Sequence, residues 1–259
     1  GEYAFVGAGV CIDAGVAKTA VRVEGYVDPK GYKSAMKRSG DEGKMYHQGC
    51  VEEYSYMHEH HIVEFADRAL LPPDKLIMDM GWVLHMKFTA EGNCDRARCR
   101  LTPRGYQQRC GLEYSEHGTF SPVARKQSIF IAISITCHLG LFTRVIDITK
   151  AFLYGICKEE VYVQVPEGFN NLADAKQMPF GCNTVLRCIK QIYGMKAAAR
   201  EFYNVLAKHL TSDRPGCGFY QLPSDGCVFV KCKKDGKNVL LKDLNMLNLG
   251  GRLPVLQLN

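Results

Sequence analysis

The chain has 259 residues, of which 46% are hydrophobic, and a formal net charge of +6. That content supports a packed core and excludes a globally disordered chain, and the length fits one large domain or two modest ones. No apolar stretch reaches the roughly 20 residues of a membrane span; the longest candidate, Ile129 to Phe142, is interrupted by Ser134, Thr136 and His138.

Residues 1–27 carry no functional signal. Gly7-Ala8-Gly9 starts like a dinucleotide-binding loop, but the third glycine position holds Ile12, so the motif fails. The first residue is Gly1 and no charged-then-apolar signal peptide follows, which reads as a fragment or a processed piece that is not secreted. Twelve cysteines contain no Cys-x-x-Cys, and the pairs Cys94/Cys99, Cys182/Cys188 and Cys227/Cys232 are spaced too loosely for a zinc knuckle. Free thiols in a reducing, intracellular compartment, cytoplasmic or nuclear, are the expectation.

Residues 28–80 include His58-Glu59-His60-His61, which lacks the i, i+4 histidine pair of a helical zinc site and reads as surface. Leu71-Pro72-Pro73 closes this part as a linker. From 81 to 126 the leading feature is a β-hairpin. Trp82 to Phe88 forms one strand, Glu91-Gly92-Asn93 the turn, and Arg96 to Leu101 the return. Side chains in a strand repeat every two residues, so Arg96, Arg98 and Arg100 share one face. Guanidinium donors fit phosphate oxygens in pairs, so such a face suits a phosphate clamp. Between Gly81 and Cys110 six basic residues stand against two acids, and this local excess suits a phosphate-bearing partner or a solvated face.

Residues 125–139 are ambiguous. Ile129, Ala132, Ile133 and Thr136 follow helical spacing with Ser128 as a possible cap, yet Ile129, Ile131, Ile133 and Ile135 also alternate. Leu141, Thr143 and Val145 then alternate with Phe142, Arg144 and Ile146, a strand that ends on the carboxylate of Asp147. A carboxylate at a strand tip either seats a divalent metal such as magnesium or caps the following turn. A short helix-compatible run leads to Gly155, a stop. Val161, Val163 and Val165 indicate another strand, as does Thr184 to Gln191. Ala197 to Leu210 is the clearest helix, with Phe202, Val205, Leu206 and Leu210 on one stripe. Cys227 to Lys231 and Asn238 to Leu241 flank Asp235-Gly236 as a hairpin. The order of elements is α+β.

Three segments in order carry a resemblance. Gly118-Thr119-Phe120-Ser121-Pro122-Val123-Ala124-Arg125 leads into Asp147-x-x-x-Ala151-Phe152-Leu153-Tyr154-Gly155, followed by Glu160-Val161-Tyr162-Val163 and Pro166-Glu167-Gly168-Phe169, and then by Ile192-Tyr193-Gly194-Met195-Lys196. Together they resemble the reverse transcriptases of copia-type retrotransposons over about residues 28–241. The resemblance implies a helical segment over 28–80, with Asp28-Pro29-x-x-Tyr32 at its start and Glu52, Glu53 and Tyr56 within it. It implies helix over 125–139, a fingers-like hairpin over 81–126, and a palm over 127–241 whose antiparallel sheet carries helices on one face. Residues 242–259 form a divergent tail.

The implied activity is RNA-directed DNA synthesis on an RNA or DNA template-primer with deoxynucleotides, by phosphoryl transfer between two magnesium ions about 4 Å apart. Asp147 would bridge both ions, with the backbone carbonyl of Ile148 adding an oxygen. Phe152 stands at the family's steric gate against a 2′-hydroxyl. Tyr193 and Gly194 would lie under the incoming base, Arg100 and Arg104 near its triphosphate, and Lys196, Arg96 and Arg98 along the template-primer. In the polyprotein order of the family, integrase lies upstream and RNase H downstream.

Three departures stand out. Pro103 interrupts the family's Arg-Leu-x-x-Lys-Gly-Phe run and is expected to disturb strand pairing. Ala197-Ala198-Ala199-Arg200 replaces Gln-Ser-Pro-Arg. Above all, where the family carries Tyr-x-Asp-Asp this chain has Lys242-Asp243-Leu244-Asn245, and no Asp-Asp pair occurs in it. A deletion or frameshift near Leu241 accounts for that loss. One carboxylate leaves two divalent ions short of ligands, so the expectation is a chain that binds nucleic acid and does not polymerise.

Overall fold

The computed structural model describes residues 23–140, 143–145, 148–172, 179–215, 217–231 and 254–256. These fall into two units, one drawn from 23–119 and 152–201, the other from 120–151 and 202–256.

In the larger unit the chain begins with α1 (Tyr32–Met36) and α2 (Gly40–Glu59). Asp41 and Glu42 lie in the first turn of α2, where carboxylates oppose the positive end of the helix dipole. Tyr46, Cys50, Tyr54 and Met57 recur at three- and four-residue steps and form its buried stripe. That stripe packs on a hairpin of β3 (Met80–Phe88) and β4 (Cys94–Pro103). The contact is close because position 49 is glycine: a Cβ there would stand 2.8 Å from Cys99 Sγ and 3.0 Å from Ala97 O.

Beside the hairpin runs a four-stranded sheet. It comprises β1 (Val63–Asp67), β2 (Ile77–Met78), β6 (Ile156–Gln164) and β7 (Thr184–Lys190), in the order β1-β7-β6-β2. A short helix α4 (Phe169–Leu172) follows β6 and also packs on α2. Val63 pairs with Cys188 and Asp67 with Thr184, and Val161 pairs with the same Cys188 from the other side. These two ladders are antiparallel, but Ile77–Met78 runs parallel to Tyr162–Val163. The sheet is therefore mixed, its one parallel strand coming from before residue 127, while β6 and β7 pair antiparallel as expected of 127–241. Residues 28–80 also hold two strands besides their helices. Both strands are short, and β1 owes its place to pairing with a partner some 120 residues away rather than to a strong local pattern.

The smaller unit contains α3 (Lys126–Leu139), β5 (Thr143–Val145), most of α5 (Ala198–Leu210), a hairpin of β8 (Tyr220–Leu222) and β9 (Asp225–Val230), and β10 (Pro254–Leu256). The ambiguous stretch is helical from Lys126 to Leu139. Ala132 and Thr136 are buried one turn apart, the Thr136 hydroxyl donates to Ala132 O at 2.8 Å, and Gly140 closes the helix at φ +63°. Strand β10, inside the segment read as a divergent tail, pairs antiparallel with β5. The expected strand at 238–241 and its Asp235-Gly236 turn lie outside the described residues. Leu206, Leu210 and Phe229 form the core between α5 and β9, with Ile148 against it. The described cysteines are free thiols, as expected.

The start of α3 is sealed from a distance. Arg125 and not Ser128, the expected cap, stands at the N-cap: the buried Asp225 carboxylate accepts from Arg125 N at 2.8 Å, from Cys227 N at 3.0 Å and from the hydroxyl of Ser128 within the first turn. Burial alone would raise the pKa of this carboxyl, but the three hydrogen bonds outweigh it and hold the group below the ordinary carboxylate value. Its contribution to stability is thus fully present above the unfolded-state pKa of about 3.9 and is lost as pH falls through the lower folded-state value. Asp225→Ala should lower the unfolding free energy at neutral pH by about 2 kcal/mol, read by urea denaturation. The difference between the two proteins should shrink in acid.

Candidate functional site

The hairpin presents two different faces because its residues alternate. Trp82, Leu84 and Met86 on β3 and Cys99, Leu101 and Pro103 on β4 turn inward and are buried. Pro103 ends the ladder opposite Met80 rather than breaking it, so the expected disturbance does not arise. The other face carries Arg96, Arg98 and Arg100, and the register sets Lys87, His85 and Val83 directly opposite them. The sequence reading found the three arginines but missed Lys87 and His85 on the same face, although the strand period alone would have placed them.

This face is tied down at its middle. His85 Nδ1 lies 2.8 Å from Asp28 Oδ2, while Asp28 Oδ1 accepts from Met86 N at 2.8 Å and from the Tyr46 hydroxyl at 3.0 Å. Burial pushes the Asp28 carboxyl up, but the bonds from His85, Met86 and Tyr46 prevail and hold it below the usual carboxylate range. Tyr26, bonded to Glu42 and Tyr46, is pushed up to about 12, first by burial and then by the Glu42 carboxylate.

At the inner end of the arginine row three predicted residues meet. The Arg100 guanidinium lies 4.7 Å from the centroid of the Tyr193 ring, and that ring lies 5.4 Å from the ring of Phe152. Phe152 comes from a 3-10 turn, Ala151–Tyr154, that runs into β6, and Tyr193 from the loop after β7. The two segments are joined where Gln191 N donates to Gly155 O at 2.7 Å. Cation–π contacts of this kind contribute roughly 0.5–1 kcal/mol at exposed sites; their larger effect here is to aim the rings and the cation at one place.

Gly194 holds that loop against β4. It adopts φ +97°, and a Cβ built there would lie 2.7 Å from Thr102 Cγ2 and 2.8 Å from Pro103 O. Two residues on, Lys196 N donates to Gln108 Oε1 at 2.8 Å, and its ammonium lies 4.8 Å from the ring of Tyr114. The loop that carries Gln108 and Tyr114 is braced by Glu113, whose buried carboxylate accepts from Arg109 N, Nε and Nη2. Burial raises the Glu113 pKa, but Arg109 more than reverses this. Arg109, counted with the basic surface in the sequence, is exposed there but spends its guanidinium on the buried Glu113 carboxylate. Arg104 lies apart from the arginine row, 3.9 Å from Asp79 and within 3.2 Å of the Tyr106 hydroxyl.

Asp147, the expected metal ligand, lies outside the described residues. Ile148 is half-buried in the smaller unit, against Leu206, Leu210 and Phe229. Among the described residues no group of three His, Cys, Asp or Glu side chains could share a metal ion. His58, His60 and His61 are exposed. No helix among the described residues is long and apolar enough to cross a membrane.

Residues 67–247 match the family described as reverse transcriptase (RNA-dependent DNA polymerase). The chain is 36% identical over 159 residues, 61% of its length, to the retrovirus-related Pol polyprotein from transposon RE2 of Arabidopsis thaliana. It is 34% identical over 161 residues, again 61% of its length, to that from transposon RE1 of the same plant. It is 30% identical over 171 residues, 66% of its length, to that from transposon TNT 1-94 of Nicotiana tabacum. The matched parts span 10%, 10% and 12% of those polyproteins, so the chain corresponds to about a tenth of the curated relatives it matches. No solved structure matches.

Gly194→Ala should destabilise the chain by about 2 kcal/mol or more, because the substituted residue would be held at positive φ and pressed into the backbone of β4. Urea denaturation measures the loss. Gly118→Ala, where the nearest atom to a built Cβ is Ser115 Cβ at 3.5 Å, should not reproduce it.

Proposed function

Because the chain belongs to the reverse transcriptase (RNA-dependent DNA polymerase) family, we propose that it is the reverse transcriptase domain of a copia-type retrotransposon polyprotein that holds template-primer and deoxynucleotide but does not itself extend the primer. The β3–β4 hairpin is assigned to the fingers and residues 127–241 to the palm. The integrase and RNase H segments of such a polyprotein are its expected partners in the longer chain.

The observation that carries this reading is the convergence of Arg100, Tyr193 and Phe152 at the end of a basic hairpin face. In this assignment Arg100 pairs with phosphate oxygens of the nucleotide. The Tyr193–Gly194 loop supports its base, and the Phe152 ring crowds the sugar where a 2′-hydroxyl would sit. Arg96, Arg98 and Lys87 neutralise template-primer phosphates without reading sequence. Arg104 stays a candidate for the triphosphate through its guanidinium edge, and Lys196 for the template.

Magnesium is the expected cofactor of the family, and when bound it would supply charge neutralisation at the attacking and leaving oxygens. The donor set of this chain does not fit two ions. Asp147 stands without an Asp-Asp pair, and Asp243 follows a lysine. A second reading, a nucleic-acid-binding remnant outside any polymerase, rests on the same basic face.

Binding and extension test the two halves of this reading, the basic hairpin face and the inactive site. The chain should bind an RNA template annealed to a DNA primer, with log affinity falling linearly in log salt. Arg96→Gln or Arg98→Gln should each reduce that slope by about one. In the presence of magnesium and deoxynucleotides the primer should stay unextended. Measured extension would overturn the inactive site, and salt-independent or absent binding would overturn the assignment of the hairpin.

A further inference from the structure

Tyr106 is the most exposed large aromatic among the described residues, at 72%. It does not sit on a slack loop. It occupies a 3-10 turn, Gly105–Gln107, directly after β4. Arg104 N donates to Asp79 O at 2.9 Å. Asp79 N donates to Gln107 Oε1 at 2.8 Å, and Gln107 Nε2 returns a bond to Asp79 Oδ2 at 2.9 Å. On the other side Gly105 is pressed against Gly194 O and Met195, so the turn is clamped between the head of β3 and the Tyr193–Gly194 loop. The Arg104 guanidinium, between Asp79 and the Tyr106 hydroxyl, fixes the outer end of the ring.

A large apolar ring left in water on a rigid mount loses the burial that would stabilise it, and gains a surface that costs little ordering when a flat partner covers it. The chemistry around it selects the partner. A π-face beside an arginine, on the same turn that abuts the loop proposed to lie under the incoming base, suits a nucleobase with its phosphate, and only an unpaired base offers a free face for stacking.

We propose that Tyr106 is a stacking platform for an unpaired base of single-stranded template, its hydroxyl held by Arg104. This deepens the reading of the chain as a template-primer-binding domain and rests on it. Tyr106 ends the stretch that resembles the family's Arg-Leu-x-x-Lys-Gly-Phe run, but no role was expected of it; its exposure on a braced turn suggests one.

The test compares two fluorescent probes on the full chain by anisotropy: a blunt RNA–DNA duplex, and the same duplex with an unpaired 5′ template extension that carries 2-aminopurine. The unsubstituted chain should bind the extended probe more tightly and quench the 2-aminopurine. Tyr106→Ala should weaken binding of the extended probe about tenfold, abolish the quenching, and leave the blunt duplex unchanged. Tyr106→Phe keeps the ring and should behave as the unsubstituted chain, with thermal unfolding unaltered in both variants.

Equal affinity of the unsubstituted chain for the two probes would overturn the platform, as would Tyr106→Ala binding the extended probe normally or losing both probes alike. In those cases duplex binding still supports the broader reading, and the exposed ring falls to a protein contact. Failure of the unsubstituted chain to bind either probe would overturn both.

Discussion

Burial of one face of the β3–β4 hairpin on α2 is the constraint from which the rest follows. Trp82, Leu84, Met86 and Leu101 each contribute roughly 1.5–3 kcal/mol on leaving water. A slip of one residue would turn those side chains out and drive Arg96, Arg98 and Arg100 against the helix. The cost of burying unpaired guanidinium groups forbids that register. The same alternation that builds the core therefore builds the basic face. The Asp28 carboxylate then fixes the face to the segment before α1, through Met86 N on the backbone side and His85 on the solvent side.

The site is made by a second close approach. Phe152 and Tyr193 are far from Arg100 in sequence, and each is polar-faced or aromatic in a way that fits many roles. They meet because Gly194, at positive φ, lets its loop lie flat on Thr102 and Pro103. The functional grouping thus depends on a residue with no side chain, while Gln108 and the Glu113–Arg109 brace position Lys196 from the opposite side.

How much of this is legible in the sequence depends on the range of the interaction that decides each element. The hairpin and α5 are legible, since period-two and helical stripes are local signals strong enough to survive packing. The helix α3 is not, because its isoleucines satisfy both periods; only the family resemblance favours helix, and in the fold the Thr136–Ala132 bond and Gly140 terminate and brace it. Strands β1, β2 and β8 go unseen because each is five residues or fewer and is a strand by virtue of its partner. Arg109 lies at the surface as read, but its ion pair goes unseen because a loop carboxylate four residues on has no periodic signature. Arg100 is placed by the strand period, Tyr193 and Phe152 only by the family's motifs, and their meeting is visible only in three dimensions.

The bond between Asp225 and Arg125 joins residues one hundred positions apart. A chain emerging from the ribosome completes the whole of α3 long before the residue that closes its first turn has been made. Until then the helix keeps unsatisfied amides at its leading end and relies on its own weak nucleation. The arrival of β9 is accordingly a late event that closes the start of α3, and non-local closure of this kind slows assembly. A nascent chain released before that point would carry an isoleucine-rich segment with nothing to hold its beginning, a species open to association with its neighbours.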